Sequence, residues 1–360
     1  MTLMLAIVAD DLTGALDTSA PFVASGLDVA VAMTPEATEK ALAAKPDVIA
    51  INTASRGLPA EVARSRVRDV AKTFMPYAPD IVMKKVDSRL KGNVGAEADV
   101  LAEASGRNAL VVAPAVPDQG RVTCDGAVVG RGVDTPLPVL QAFAGLARRV
   151  SVRNAGSDAE LDHIVAETDW RHAIAVGARG LGLAFARNLR ADDNSQHTAP
   201  PACGRSVLFA FGSRDPITDQ QVARLIRDNS AIQIVDALNG RFALPAESSL
   251  PMVVRCTGEM VEEPARIASR FAEGIADSVL RLRPSTLVMG GGDTALAILG
   301  ALGADVLLPK GEVAPGLPWF TITTRHGEGL RCVVKSGGFG TVAVLSDLLR
   351  PPSGEQAERT

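Results

Sequence analysis

Histidine, paired cysteine, aromatic residues and excess positive charge are all scarce in this chain, and each shortage removes a class of function. The four cysteines, Cys124, Cys203, Cys256 and Cys332, lie far apart and form no C-x-x-C pair, so they read as reduced thiols rather than a disulfide framework or a thiolate metal site. The four histidines, His163, His172, His197 and His326, include no i, i+4 pair, which argues against a histidine-held zinc. One Tyr, two Trp and ten Phe, with a formal net charge of -4, leave neither a basic stripe nor a stacking platform. Nucleic acid is therefore not an expected partner. No basic segment followed by an apolar stretch opens the sequence, and no apolar run reaches the ~20 residues that span a bilayer. A cytoplasmic protein without membrane contact is expected.

What is present is apolar residue in quantity: 47% of 360 residues, enough for two domains, because single cores seldom grow past ~250 to 300 residues. In the first half, short β-branched runs alternate with helical patterns, the signature of a parallel sheet with crossover helices. Strands are expected at 3–9, 29–33, 48–51, 81–84, 110–113 and 173–176, and helices at 15–25, 59–74, 94–104, 158–168 and 181–189, although Pro21 weakens the first helix. The polar, proline-bearing stretch "RADDNSQHTAPPACG" marks a boundary between a domain over 1–195 and another over 205–350, with 351–360 as a frayed tail. Strands resume at 207–211, 232–235, 252–255, 286–289 and 332–335. The expected fold is α/β, in two lobes, each a mostly parallel sheet flanked by helices, with a cleft between the lobes.

Three segments of the second half share a strand, small-residue turn, helix grammar: "VLFAFGSRDPITDQQVARLI", "TLVMGGGDTALAILGAL" and "CVVKSGGFGTVAVLSDLL". Gly290, Gly291 and Gly292 let backbone approach a ligand, Asp293 or Thr294 can cap the helix, and the exposed N–H groups suit a phosphate. Lys335 to Gly340 offers a second such turn, and Thr218 with Gln221 has the spacing of a capping box. Any one of these glycine turns alone can be merely a tight turn. In open parallel sheets, however, ligands bind outside the carboxyl ends of strands, where all three would lie. Neither a P-loop nor a G-x-G-x-x-G dinucleotide pattern fits.

The first half places charge at its strand ends: Asp10 and Asp11, then Asn52 and Arg56, then "KKVDSRLKGN". A carboxylate there can accept a proton from a hydroxyl, and Arg56, Arg89 or Lys91 can grip an acid. A helix cap explains one aspartate, but two adjacent carboxylates repel unless a cation, a basic neighbour or a proton relieves them. A merely solvated loop is the alternative for the charges of 84–91. The adjacent pair does not fit the D-x-D-x-[TV] strand end of haloacid-dehalogenase phosphatases.

Taken together, "ADDLTGALDTSA", "KKVDSRLKGNVGAE", "APAVPDQGR", "GSRDPITDQQ", "GGGDTALAIL", "APGLPW" and "VVKSGGFG" make the chain resemble the four-carbon acid sugar kinase family along nearly its whole length. The resemblance implies an ATP-dependent kinase whose first lobe holds a tetronate-like acid sugar and whose second holds ATP, with Mg2+ bridging phosphate oxygens. By that resemblance, nucleotide contacts fall on Ser213, Gly290, Gly291, Gly292, Asp293, Thr294, Lys335, Gly337 and Gly338. The acid-sugar side falls on Asp10, Asp11, Lys85 and Asp87 as catalytic groups and on Arg56, Arg89, Lys91 and Arg121 as substrate contacts. Asp10 or Asp11 would be the base or face a metal-bound water, and Lys85 would neutralise the moving group. Arg89 and Lys91 depart from the usual K-x-D-S-T-L-R-G-N form, leaving the particular acid open. A non-catalytic nucleotide or metabolite sensor and a metal-dependent sugar-acid phosphatase are the competing readings. A homo-oligomer is neither required nor excluded.

Overall fold

The computed structural model describes residues 3–189, 203–212, 215–259 and 262–350. Two compact units divide them: the first takes the N-terminal part together with Val306–Pro309, and the second takes the remainder. Among the described residues no helix is long and apolar enough to cross a membrane.

In the first unit, strands β1 (Leu5–Ala9), β2 (Val29–Ala32), β3 (Val48–Asn52), β4 (Ile81–Lys85) and β5 (Ala109–Ala113) come before the small sheet of β6 (Arg121–Cys124), β7 (Ala127–Gly130) and β8 (Leu137–Pro138); β9 (Arg149–Val152) and β10 (Ala173–Gly177) follow. Helices α1 (Leu12–Ser19), α2 (Thr38–Ala43), α3 (Ala60–Phe74), α4 (Val94–Ser105), α5 (Asp158–Glu167) and α6 (Arg179–Asn188) cover the main sheet. Its parallel strands run β2-β3-β1-β4-β10-β5-β9. Runs such as LAIVA and VIAIN are apolar almost throughout because helices bury both faces. Val82, Val86, Ile49 and Val8 pack with α3 and α4 residues Val67, Val70, Ala98 and Leu101 on one face, while α1, α5 and α6 pack together.

Two features of this unit differ from the sequence-based expectation. The helix expected over 15–25 is α1 ending at Ser19, followed by a 3-10 helix over Ala20–Ser25 that carries Pro21 in its first turn, where a missing N–H leaves no bond unmade. The hairpin over Arg121–Gly130 and the strand β9 were not expected at all.

The rest of the chain contains β11 (Val207–Phe211), β12 (Gln233–Leu238), β13 (Met252–Thr257), β14 (Thr286–Gly290), β16 (Pro309–Ala314), β17 (Leu317–Thr323) and β18 (Gly329–Lys335) of the second unit, with helices α7 (Pro216–Asp228), α8 (Pro264–Leu282), α9 (Gly292–Ala301) and the single turn α10 (Val344–Asp347), and, between α9 and β16, the strand β15 (Val306–Leu307) of the first unit. The second unit's sheet has the order β12-β13-β11-β14-β18-β17-β16, parallel from β12 to β18 and antiparallel where β17 meets β18. β15 is absent from that order. It pairs antiparallel with β2, Val306 opposite Ala32 and Leu307 opposite Val31, and so closes the edge of the first unit's sheet.

Candidate active site

Register sets the front of the site. Ala9 at the end of β1 lies opposite both Asn52 on β3 and Lys85 on β4, so the chain leaves three neighbouring strands at one level. Beside β1 the connections diverge to the two sides of the sheet, the place where open α/β sheets form a crevice.

The adjacent aspartates are reconciled by one guanidinium and one helix start. Arg56 forks onto Asp10, Nη2 to Oδ1 at 2.8 Å and Nε to Oδ2 at 3.0 Å, and its Nη1 reaches Asp11 Oδ2 at 2.9 Å. Asp11 caps α1, accepting from the Gly14 amide at 2.9 Å and from Thr13 Oγ1 at 2.7 Å. Of the five N–H groups on Arg56, three are engaged and two remain on a side chain that is 31% exposed. Burial acts on Asp10 most strongly and pushes its carboxyl upward, but Lys84, Arg56 and Lys85 together outweigh it and hold the group below its ordinary value. Burial likewise opposes the charge on Arg56, yet Asp10, Asp11 and Asp87 hold its proton more firmly than usual.

The two lysines of "KK" face opposite sides of the sheet, as successive strand residues must. Lys84 shares its side with Val82 and Val86 and pairs with Glu97 of α4, Nζ to Oε2 at 2.6 Å. Lys85 turns toward α1, where a Cβ on Gly14 would stand 2.8 Å from its Nζ and 2.5 Å from Asp11 Oδ1. Gly14 is glycine because these two side chains fill the space. Asp17, one turn further along α1, is buried; burial raises its carboxyl most, and Lys85 and Arg179 pull it back only in part.

The loop after β4 crosses in front. Gly92, at φ +88, lies where a Cβ would meet Asp10 Oδ2 at 3.1 Å. Asp87 folds this loop into a turn, accepting from the Arg89 amide at 2.8 Å. Arg121 bonds to Ser88 Oγ, and its Nε donates to the Arg131 carbonyl at 3.1 Å. Burial and then the positive charges of Arg89 and Arg131 lower its proton affinity, with Asp87 opposing. Arg89, Lys91 and Arg131 are exposed. The sequence therefore pointed to Asp10, Asp11, Arg56, Lys85, Asp87, Arg89 and Arg121 in one neighbourhood, but not to Lys84, Glu97, Asp17 or Arg131.

In the second unit the glycine turns differ in detail from expectation. Helix α9 has Gly291 at its N-cap position, with φ +96 and no side-chain cap, so Asp293 and Thr294 sit inside its first turn rather than capping it. Gly212 packs against Thr294, whose Oγ1 would be 2.3 Å from an added Cβ, and Gly290 packs as closely on the Phe211 ring. Thr218 and Gln221 form no capping box. Asp215 caps α7, accepting from the Ile217 and Thr218 amides at 3.0 and 3.1 Å, while Gln221 Nε2 donates to the carbonyls of Phe339, Gly340 and Thr341 at 3.0, 3.2 and 3.0 Å. Lys335, expected to reach a nucleotide, is buried with its three N–H groups on Thr218 Oγ1, Ser336 O and Gly337 O at 3.0, 3.2 and 2.6 Å. Those bonds tie it to the turn that carries Gly337 and Gly338. Ser213 lies outside the described residues.

Among the described residues no three His, Cys, Asp or Glu come together to hold an ion, and Asp10 and Asp11 already answer to Arg56. The second of the reliefs open to the aspartate pair, a basic neighbour, is the one present. A cavity of about 540 Å³ between α8 and α9 is lined by Ala272, Glu273, Ala276 and Gly300 and contains none of the candidate residues.

The first unit thus ends its parallel strands in charged side chains, and the second ends its own in glycine turns. Residues 5–142 match the sugar-binding N-terminal domain family and residues 208–345 the nucleotide-binding C-terminal domain family. The chain is 31% identical to a D-threonate kinase of Bordetella bronchiseptica, covering 94% of this chain and 95% of that one. It is 26% identical to a 3-oxo-tetronate kinase of Methylobacterium radiotolerans, covering 94% and 97%. A Salmonella typhimurium crystal structure, of a putative tRNA synthase, superposes with a TM-score of 0.74 at 17% identity over 97% of this chain and 99% of that one, a likeness of fold. The chain belongs to the four-carbon acid sugar kinase family.

Proposed function

We propose that the protein moves the γ-phosphoryl group of ATP onto the terminal hydroxyl of a four-carbon sugar acid of the threonate, erythronate or 3-oxo-tetronate type. The observation that carries this reading is the Arg56 fork over Asp10 and Asp11 at the ends of β1 and β3, a half-exposed cation held ready beside carboxylates, inside the residues that match a sugar-binding domain. The D-threonate, D-erythronate and 3-oxo-tetronate kinases among its relatives support the substrate class.

In this reading the two unengaged N–H groups of Arg56, with Arg121, Arg89 and Lys91, hold the acid's carboxylate. Asp11, more exposed than Asp10, accepts a hydrogen bond from the acceptor hydroxyl and orients it. Little more than orientation is needed, because phosphoryl transfer through a loose transition state rests on positioning and charge neutralisation. The acceptor oxygen bonds to the γ-phosphorus as the bond to the β-phosphate oxygen breaks, ADP leaves, and the hydroxyl proton passes to Asp11 or solvent. Lys85 neutralises the group in motion. The glycine turns at Gly290 to Gly292 and at Gly337 and Gly338 receive the nucleotide phosphates. Mg2+ would enter, in this reading, with the nucleotide.

The test is ADP release from ATP with D-threonate, D-erythronate or 3-oxo-tetronate as acceptor. Turnover with at least one is expected; release of phosphate without a phosphorylated acid, or no turnover with any, overturns the reading.

A further inference from the structure

Four groups of alternating sign run outward from the core: Glu97 on α4, Lys84 on β4, Asp10 after β1, and Arg56 at the front. Lys84 and Glu97 are each about 1% exposed. Glu97 also accepts from Ser55 Oγ at 2.6 Å, and that hydroxyl lies 2.7 Å from Thr53 Oγ1, which donates to the Ala9 carbonyl at 2.9 Å. The network thus ties α4 to the loop that carries Arg56 and to the residue before Asp10. Lys84 Nζ further donates to the Lys85 carbonyl at 3.0 Å.

A buried ion pair is weak evidence for stability, since well-packed apolar residues of the same volume do as well or better. Stability alone therefore gives no reason for a charged pair at this place. Its position behind Asp10 gives one. We infer that Lys84, held by Glu97, is a positioning residue for the acid-sugar site, keeping Asp10 ionised from beneath so that Asp10 fixes the Arg56 fork on which the substrate carboxylate docks. This rests on the role proposed above for Arg56. The charged groups facing Asp10 are Lys84 and Lys85 from β4 and Arg56 from the loop after β3, with Asp11 adjacent in the chain and Asp87 and Glu97 acting beyond those cations. Of the influences that favour ionised Asp10, the charge of Lys84 is the largest. Protonation of Asp10 would put a hydrogen on an oxygen that now accepts from Arg56, and the fork would lose its anchor.

The experiment compares kcat/KM against pH, and KM for ATP, in the wild type, Lys84→Met, Glu97→Gln and the double variant, using whichever tetronate gives turnover. Lys84→Met and the double variant are expected to move the acid limb upward by about one pH unit or more, to raise KM for the acid and to leave KM for ATP unchanged. Glu97→Gln, which leaves an amide oxygen to accept from Lys84, is expected to move the limb less than Lys84→Met does. The double variant buries no unpaired charge and carries the test if Lys84→Met does not fold. A wild-type acid limb in the double variant, an equal shift in Glu97→Gln, or loss of fold in the double variant overturns the inference and returns the pair to a structural role. Arg56→Ala separates the two levels: if it retains the wild-type KM for the acid, the underlying role of Arg56 fails whatever Lys84 does.

Discussion

Gly14→Ala is the sharpest perturbation of the site, because local propensity and site geometry give it opposite signs. In a helix, alanine is favoured over glycine by ~1 kcal/mol. Here the new Cβ would lie 2.5 Å from Asp11 Oδ1 and 2.8 Å from Lys85 Nζ, where ordinary contact begins at 3.4 Å. Both atoms end flexible side chains, so the fold can yield while the site is displaced by about 1 Å, and a displacement of that size at a reacting group costs on the order of 100-fold. Moving Asp11 also loosens the α1 cap, a loss of ~1 kcal/mol that offsets the propensity gain. Urea unfolding should therefore place the variant within about 1 kcal/mol of the wild type, while kcat/KM in the ADP-release assay falls roughly 100-fold. A variant with wild-type kcat/KM would refute the placement of Asp11 and Lys85 at the reacting centre.

Two further expectations concern stability. Arg107 is buried and donates to the carbonyls of Trp170, Ala173, Pro79 and Asp80 at 2.8, 3.3, 2.8 and 3.1 Å, so Arg107→Met orphans four acceptors and should cost ~3 kcal/mol or more in urea unfolding, with activity per folded molecule unchanged. Burial pushes the Lys335 ammonium down to about 8 from 10.5, with Asp215 opposing. Between those values the unfolded chain binds more protons than the folded one, so stability rises with pH, by roughly 3 kcal/mol across the window. Lys335→Met should remove that rise; an unchanged pH dependence of unfolding in the variant contradicts the burial of a strained charge.

The parallel strands of the first unit are readable because burial on two faces makes them apolar runs, and their ends carry the charges that stand out against those runs. The partners of those charges are not readable. Arg56 meets Asp10 across 46 residues, and no local pattern records that distance. The lysine pair looks uniform in sequence, yet the pleat sends Lys84 to Glu97 and Lys85 to Gly14, so one serves the core and the other the crevice. In the second unit, Thr218 and Gln221 have capping-box spacing, but Asp215 is better placed to cap and Gln221 is drawn to the 339–341 turn. Helix α8 did carry a signal, in Ile267, Phe271, Ile275 and Val279 at four-residue intervals, that the strand-and-turn reading passed over. A two-residue strand such as β15 has no period to find.

That short strand makes the chain hard to divide. A fragment stopping near residue 205 would leave the Val29–Ala32 strand with a raw border of unanswered N–H and C=O groups, an invitation to self-association. The sugar half is thus finished by a piece translated about a hundred residues after its last helix, with the Val207–Phe211 strand and helices α7 to α9 already made. Studying the first unit by itself requires grafting 306–309 back onto it.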